Sequence, residues 1–207
     1  MFYISIMDNN NILPVVLAGG KSKRFGEDKS QVKLGEKILI DYILSELIDE
    51  FKEVLIVAND PIKHLSSDNI IKIEDFKKNL GPLGGVYTSM RWAKDKNKSY
   101  KWIASFPSDT PFFNKSIFNS FLKKINEKES ELFFMRCNEK RHNIFGLWSI
   151  DLIDQLEKDL ETGSRKVENW ANKIGVKTIN MSFEKEDPFF NINTKEDLKK
   201  AEKIIND

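Results

Sequence analysis

A single cysteine, Cys137, rules out an internal disulfide and fits a reducing compartment. It reads as a small packing residue of a strand. Long apolar runs are also missing: charges interrupt every candidate, so no segment reaches membrane-spanning length. An excess of either charge is lacking too. The 33 Lys+Arg against 32 Asp+Glu give a formal net charge of +1, so no global field draws the chain to nucleic acid or a membrane surface. Residues 1–11 lack the basic start and long apolar stretch of a signal peptide, and the cytoplasm is the expected location. Two histidines and one cysteine provide no cluster with zinc-ligand spacing, and no Ser-His-Asp arrangement is suggested. What remains is a chain of 207 residues, 40% hydrophobic, with enough apolar content for one buried core.

Strand and helix patterns alternate through the first two thirds. Strands are expected at residues 12–17, 54–58, 70–73 and 102–106, and helices at 38–51, 82–94 and 117–125. Residues 131–137 and 144–148 then flank a polar turn over 138–143, as an antiparallel pair would. Helices follow at 151–160 and 165–173, a strand at 176–181, and a closing helix at 194–205 with Thr194 as its N-cap. This order predicts an α/β fold: three layers, a mostly parallel sheet with helices on both faces, and a small antiparallel element. The whole of 1–207 is expected to be one domain, with 1–11 a flexible extension.

The first strand releases the richest stretch of the chain, Leu17-Ala18-Gly19-Gly20-Lys21-Ser22-Lys23-Arg24-Phe25-Gly26-Glu27-Asp28-Lys29. Its glycines let backbone amides approach a ligand, and its cations suit oxygen-rich anions. Gly20-Lys21-Ser22 looks like the end of a Walker A motif, but the glycine required five positions earlier is Val15, inside the strand. No G-x-G-x-x-G follows the strand either, which argues against a dinucleotide-binding unit.

In an open parallel sheet, ligands sit beyond the carboxyl ends of the strands. There the second strand releases Asn59, the third Asp75, and the fourth Ser108 and Asp109. Hard oxygen ligands facing a triphosphate are what Mg²⁺ selects. Asp109, stiffened between Pro107 and Pro111, is the leading carboxylate. Asp75 has Lys77 and Lys78 close enough in sequence to pair with it instead, and Asn59 before Asp60-Pro61 also fits a plain turn. Gly81-Pro82-Leu83-Gly84-Gly85 places costly glycines in the first turn of a helix, consistent with close approach of a ring or sugar. His64 reads as solvated, and His142 as part of a surface turn at the hairpin tip. Residues 189–194 read equally as a strand leading to an N-cap or as a ligand contact.

These segments resemble the MobA-like nucleotidyltransferases. Residues 17–29 match L-A-G-G-x-S-x-R-[MF]-G-x-D-K. Gly81-Pro82-Leu83-Gly84-Gly85 is similar to G-P-L-x-G, and Pro107-Ser108-Asp109-Thr110-Pro111 to P-x-D-x-P. Asn191-Ile192-Asn193-Thr194-Lys195-Glu196-Asp197-Leu198 is similar to N-x-N-T-x-x-[DE]-L. The resemblance spans residues 17–198 and implies a Rossmann-like nucleotidyltransferase fold that transfers GMP from GTP to molybdopterin, releasing pyrophosphate. It implies GTP contacts from Leu17, Ala18, Gly19, Gly20 and Lys29, and a nucleoside held by Asp75 and the turn at Gly81, Pro82 and Leu83. It further implies Mg²⁺ on Asp109, pyrophosphate stabilised by Arg24 and Lys29, and Asn191 and Asn193 on the acceptor side. GTP and molybdopterin would be the small-molecule partners, with molybdoenzymes or their chaperones as candidate protein partners. Where the family's second strand commonly ends Asn-Ala-Asn, this chain has Val57-Ala58-Asn59, and where a proline commonly follows the hairpin histidine it has Asn143. The residues alone leave open CTP as donor, a sugar phosphate as acceptor, or a non-catalytic nucleotide-binding module.

Overall fold

The computed structural model describes residues 9–19, 32–64, 66–96, 98–125, 130–183 and 187–206. A seven-stranded sheet is built from β1 (Ile12–Leu17), β4 (Val54–Val57), β5 (Ile70–Ile73), β6 (Trp102–Pro107), β7 (Leu132–Cys137), β8 (Lys140–Ser149) and β9 (Lys177–Met181), in the order β5-β4-β1-β6-β8-β7-β9. β8 runs antiparallel to both β6 and β7; the other pairings are parallel. A separate two-stranded antiparallel sheet pairs β2 (Lys33–Leu34) with β3 (Lys37–Ile38). The expected architecture is present, with the antiparallel pair built into the main sheet.

β1 is apolar at every position because both faces of a central parallel strand are covered. Its alternation sends Ile12 and Val16 to one core with α1 (Leu39–Ile48) and α3 (Lys115–Ile125). Leu13 and Val15 go to the other, with α2 (Gly81–Asp95), α4 (Ile153–Glu161) and α5 (Val167–Ile174). Pro14, which has no N–H to give, lies just before pairing with β4 begins at Val15↔Leu55. A third, smaller core joins Val32, Leu34 and Leu39 to Ile192 and to Ala201 of α6 (Lys195–Asn206). No described helix is long and apolar enough to cross a membrane.

Several boundaries differ from the sequence reading. Part of the expected flexible extension, Asn9–Asn11, forms a 3-10 turn, and Lys101 donates its N–H to the Asn11 carbonyl at 2.8 Å; residues 1–8 lie outside the described ones. Helix α1 starts at Leu39 because Ile38 is used by β3, and two-residue strands are too short to show a period. The β7–β8 turn is only Asn138-Glu139, both at positive φ (46° and 65°), as a tight hairpin requires. Polar residues 140–143 therefore belong to β8, and His142 is buried in the strand instead of standing on a surface turn. Cys137 is buried in β7, as its apolar reading predicted.

Asp159 of α4 is the buried carboxylate that ties α4 to α5. It accepts from Gln155 Nε2 (2.9 Å), Trp170 Nε1 (2.9 Å) and Lys173 Nζ (2.6 Å). Burial pushes its pKa up, but the Lys173, Gln155 and Trp170 donors outweigh that and hold it below the ordinary carboxylate range. Asp159→Asn is expected to destabilise the protein by about 1–3 kcal/mol, read from the urea midpoint at pH 7. Because the folded-state pKa is depressed, the carboxylate's contribution is present above its unfolded value and is lost as pH falls through the folded one. The stability gap between wild type and variant should therefore shrink in acid.

Candidate active site at the carboxyl edge of the sheet

Ile73, Val57, Leu17 and Pro107 stand in one register row across β5, β4, β1 and β6. Two residues further on, the four strands release Asp75, Asn59, Gly19 and Asp109. At ordinary strand spacing the row from β5 to β6 spans about 14 Å, the scale of an extended nucleotide. The loops are tied at their roots: Ala18 N–H donates to Val57 O (3.0 Å), Ala58 N–H to Ile73 O (3.0 Å) and Ser108 N–H to Leu17 O (3.3 Å). Gly20, Arg24 and Lys29, expected in the same loop, lie outside the described residues.

At the β5 end, Asn59 and Asp75 bond reciprocally. Asn59 Nδ2 donates to Asp75 Oδ2 at 2.7 Å, and the Asp75 N–H donates to Asn59 Oδ1 at 3.2 Å. Asn59 thus orients a carboxylate, a role its turn-like sequence setting did not suggest. Lys77 reaches Glu161 at 3.7 Å, not Asp75. Burial raises the Asp75 pKa, and the Asn59 amide only partly offsets this. Asp75 Oδ1 is buried with no hydrogen-bond partner among the described residues. Such an atom is costly unless something else supplies a donor.

Helix α2 opens against this carboxylate. Gly81 takes φ +64°, and Pro82 occupies the first turn, where its missing N–H costs nothing. A side chain on Gly85 would have its Cβ 2.8 Å from Leu17 Cδ2 and 3.8 Å from Asp75 Oδ1, so the bare backbone is what lets α2, β1 and Asp75 meet. The first N–H groups of α2 have no intrahelical acceptor and carry the positive end of the helix dipole. Leu83 is fully buried in the core, leaving its main chain as its part in the site. Leu17 packs against the same core. Val57 is buried in β4 and offers no polar group.

At the β6 end, Thr110 Oγ1 donates to Pro107 O (3.2 Å) and stiffens the turn that carries Asp109. The Ile192 N–H donates to the Asp109 carbonyl at 2.9 Å. Exposed Asn191 and Asn193 flank buried Ile192, whose backbone is the part bonded to the Asp109 turn. Thr194 caps α6 as expected: its Oγ1 accepts from the Asp197 N–H (3.1 Å), and Asp197 Oδ2 accepts from Thr194 N–H (2.9 Å) and Asn193 N–H (3.0 Å). Among the described residues, no three of His, Cys, Asp and Glu come together as a metal cage.

A family model described as the MobA-like NTP transferase domain matches residues 14–174. A molybdenum cofactor guanylyltransferase of Haemophilus influenzae is 32% identical over 193 residues, 92% of this chain and 97% of that protein. One from Rhizobium johnstonii is 30% identical over 206 residues, 96% of this chain and 95% of that protein. The crystal structure of molybdopterin-guanine dinucleotide biosynthesis protein A from Archaeoglobus fulgidus has a TM-score of 0.72 at 22% identity, covering 93% of this chain and 98% of that one, and shares the fold. With the family model matched over residues 14–174 and relatives of 30% identity or more matched along nearly their full length, the chain belongs to the MobA-like NTP transferase family.

Proposed function

We propose that the protein transfers GMP from GTP to molybdopterin. A terminal phosphate oxygen of the acceptor attacks the α-phosphorus of GTP. A new P–O–P linkage forms, the α–β bridge breaks, and pyrophosphate leaves. The observation that carries this reading is the single row of Gly19, Asn59, Asp75 and Asp109 beyond the strand ends. It provides a nucleoside end, a phosphate path and a metal carboxylate in line. The names of the relatives, guanylyltransferases matched along nearly their full length, support guanine as the base.

Transfer of this kind needs positioning and charge neutralisation more than a covalent protein intermediate. The nucleoside lies between the α2 start and Asp75, where Oδ1 accepts a donor from the ligand. Leu17, Ala18 and Gly19 pass their backbone along the phosphates; Gly20, Arg24 and Lys29, outside the described residues, are assigned by their motif to the same phosphates, the two cations to the charge of the departing pyrophosphate. Gly81, Pro82 and Leu83 contribute main chain beneath the nucleoside. Asp109 would hold Mg²⁺, whose charge would offset that of the triphosphate. Asn191 and Asn193 face the acceptor. The setting proposed is cytoplasmic.

Mass spectrometry of the product from molybdopterin and an equal mixture of NTPs tests the reaction directly. The guanine dinucleotide is expected; the cytosine dinucleotide, or no dinucleotide at all, would refute the assignment. Chelation should abolish turnover and added Mg²⁺ restore it. Asp109→Ala, verified as folded by its melting curve, should lose about 10²-fold or more in kcat; a wild-type rate would remove Asp109 from the metal site. Asp75→Asn should raise the KM for GTP about tenfold or more with a smaller change in kcat, because a bond to a charged acceptor is lost. Asn59→Ala should move the same parameter less. With a raised pKa at Asp75, the KM for GTP should climb as pH falls through that pKa.

A further inference from the structure

Residues 187–194 form a strap with neither helix nor strand, yet they carry both acceptor-side asparagines. Three anchors hold it. The Ile192 N–H is bonded to Asp109 O, and its side chain packs with Val32 and Leu34. Phe190 packs against Phe112, with ring centroids 6.1 Å apart. Phe189, fully buried, is stacked on the His142 ring at 4.3 Å and 23°.

The third anchor is unusual in its chemistry. His142 is only 8% exposed, and its Nε2 is buried with no hydrogen-bond partner among the described residues. Burial lowers its pKa, Asp187 raises it, Lys140 lowers it, and the net effect keeps the ring neutral at physiological pH. A neutral ring stacks on phenylalanine without the cost of burying a charge. Phe145 closes the cluster edge-on, 4.8 Å from Phe189 and 6.4 Å from His142, and Phe183 meets Phe189 at 6.2 Å. The flat face of the imidazole, not its nitrogen, is what the strap uses.

His142 owes this position to an irregular stretch of β8. Pairing with β7 passes from Phe134↔Gly146 directly to Met135↔His142, so Asn143, Ile144 and Phe145 are extra on the β8 side. Bulges of this kind bend a strand and re-aim its side chains. Here the bend leaves His142 against Phe189.

We propose that His142, through its stack on Phe189, is a positioning residue for the acceptor: it holds the strap so that Asn191 and Asn193 stay beside Asp109. The inference rests on the guanylyl-transfer reading for its kinetic consequence but not for its structural one. Loss of the stack loosens the strap at the end remote from the nucleoside pair, so the acceptor's KM should respond and that of GTP should not.

Two measurements on the full chain test it. In hydrogen-exchange mass spectrometry without ligands, His142→Ala should speed exchange across 187–194 about tenfold, while His142→Phe should keep it near wild type. In steady-state kinetics, His142→Ala should raise the KM for molybdopterin about tenfold and leave that for GTP within about twofold, with His142→Phe restoring the former. If His142→Ala does not fold, Phe189→Leu removes the stack while keeping apolar bulk and should behave as the alanine variant is expected to. Unchanged exchange in the alanine variant overturns the proposal. So does a phenylalanine variant as impaired as the alanine one, which would make the nitrogen itself the contact. A wild-type protein that forms no product from GTP and molybdopterin refutes the functional reading instead, and the exchange result still decides whether the stack anchors the strap.

Discussion

β1 is hydrogen-bonded on both sides, and Leu17 at its end is paired with Val57 on one flank and Pro107 on the other. That double parallel pairing is the constraint on which the site depends. Parallel neighbours end at the same edge, so the loops after β1, β4, β5 and β6 have no choice but to meet there. A shift of one residue in any of these strands would exchange the faces of its side chains as well as displace its loop. The alternating burial of Leu13 and Val15 against Ile12 and Val16 makes such a slip expensive, because each set fills a different core. Packing on the two faces thus sets the position of polar groups beyond the edge.

The site built on that edge is assembled from remote parts of the chain, each secured differently. At the β5 end the arrangement is made by side chains: Asn59 spends its amide and carbonyl on Asp75, leaving one buried carboxylate oxygen without a partner among the described residues. Groups left in that condition tend to mark places where a ligand completes the hydrogen bonding. At the β6 end it is made by backbone, where the chain after β9 returns to bond the Asp109 carbonyl. One end of the proposed site is therefore held by carboxylate and amide, the other by a strap whose own anchors are aromatic and apolar.

Much of this was legible from residue order. Apolar runs of strand length, ending in Gly, Asn or Asp, placed β1, β4, β5 and β6, and Gly81-Pro82 marked the start of α2. The hairpin β2–β3 was not visible, since two residues per strand establish no alternation. Residues 140–143 are charged or polar and so looked like a turn, whereas the actual turn needs only Asn138 and Glu139 at positive φ. That difference matters, because it moved His142 from the surface to the interior. Asn59 was ambiguous for a related reason: an amide after a strand caps a turn or binds a partner equally well, and only its distance to Asp75 distinguishes the two.

The sequence by itself determined which elements form and which chemistry gathers at the strand ends, because hydrophobic period, glycine placement and motif spacing are local properties of the chain. Tertiary structure alone decided which polar groups are partners. It joined Asn59 to Asp75, led Lys77 to Glu161, bonded Ile192 to Asp109 and stacked Phe189 on His142. Hydrogen bonds and ring contacts act over a few ångströms, and the separations they require are created when the sheet closes its register, not by neighbours along the chain.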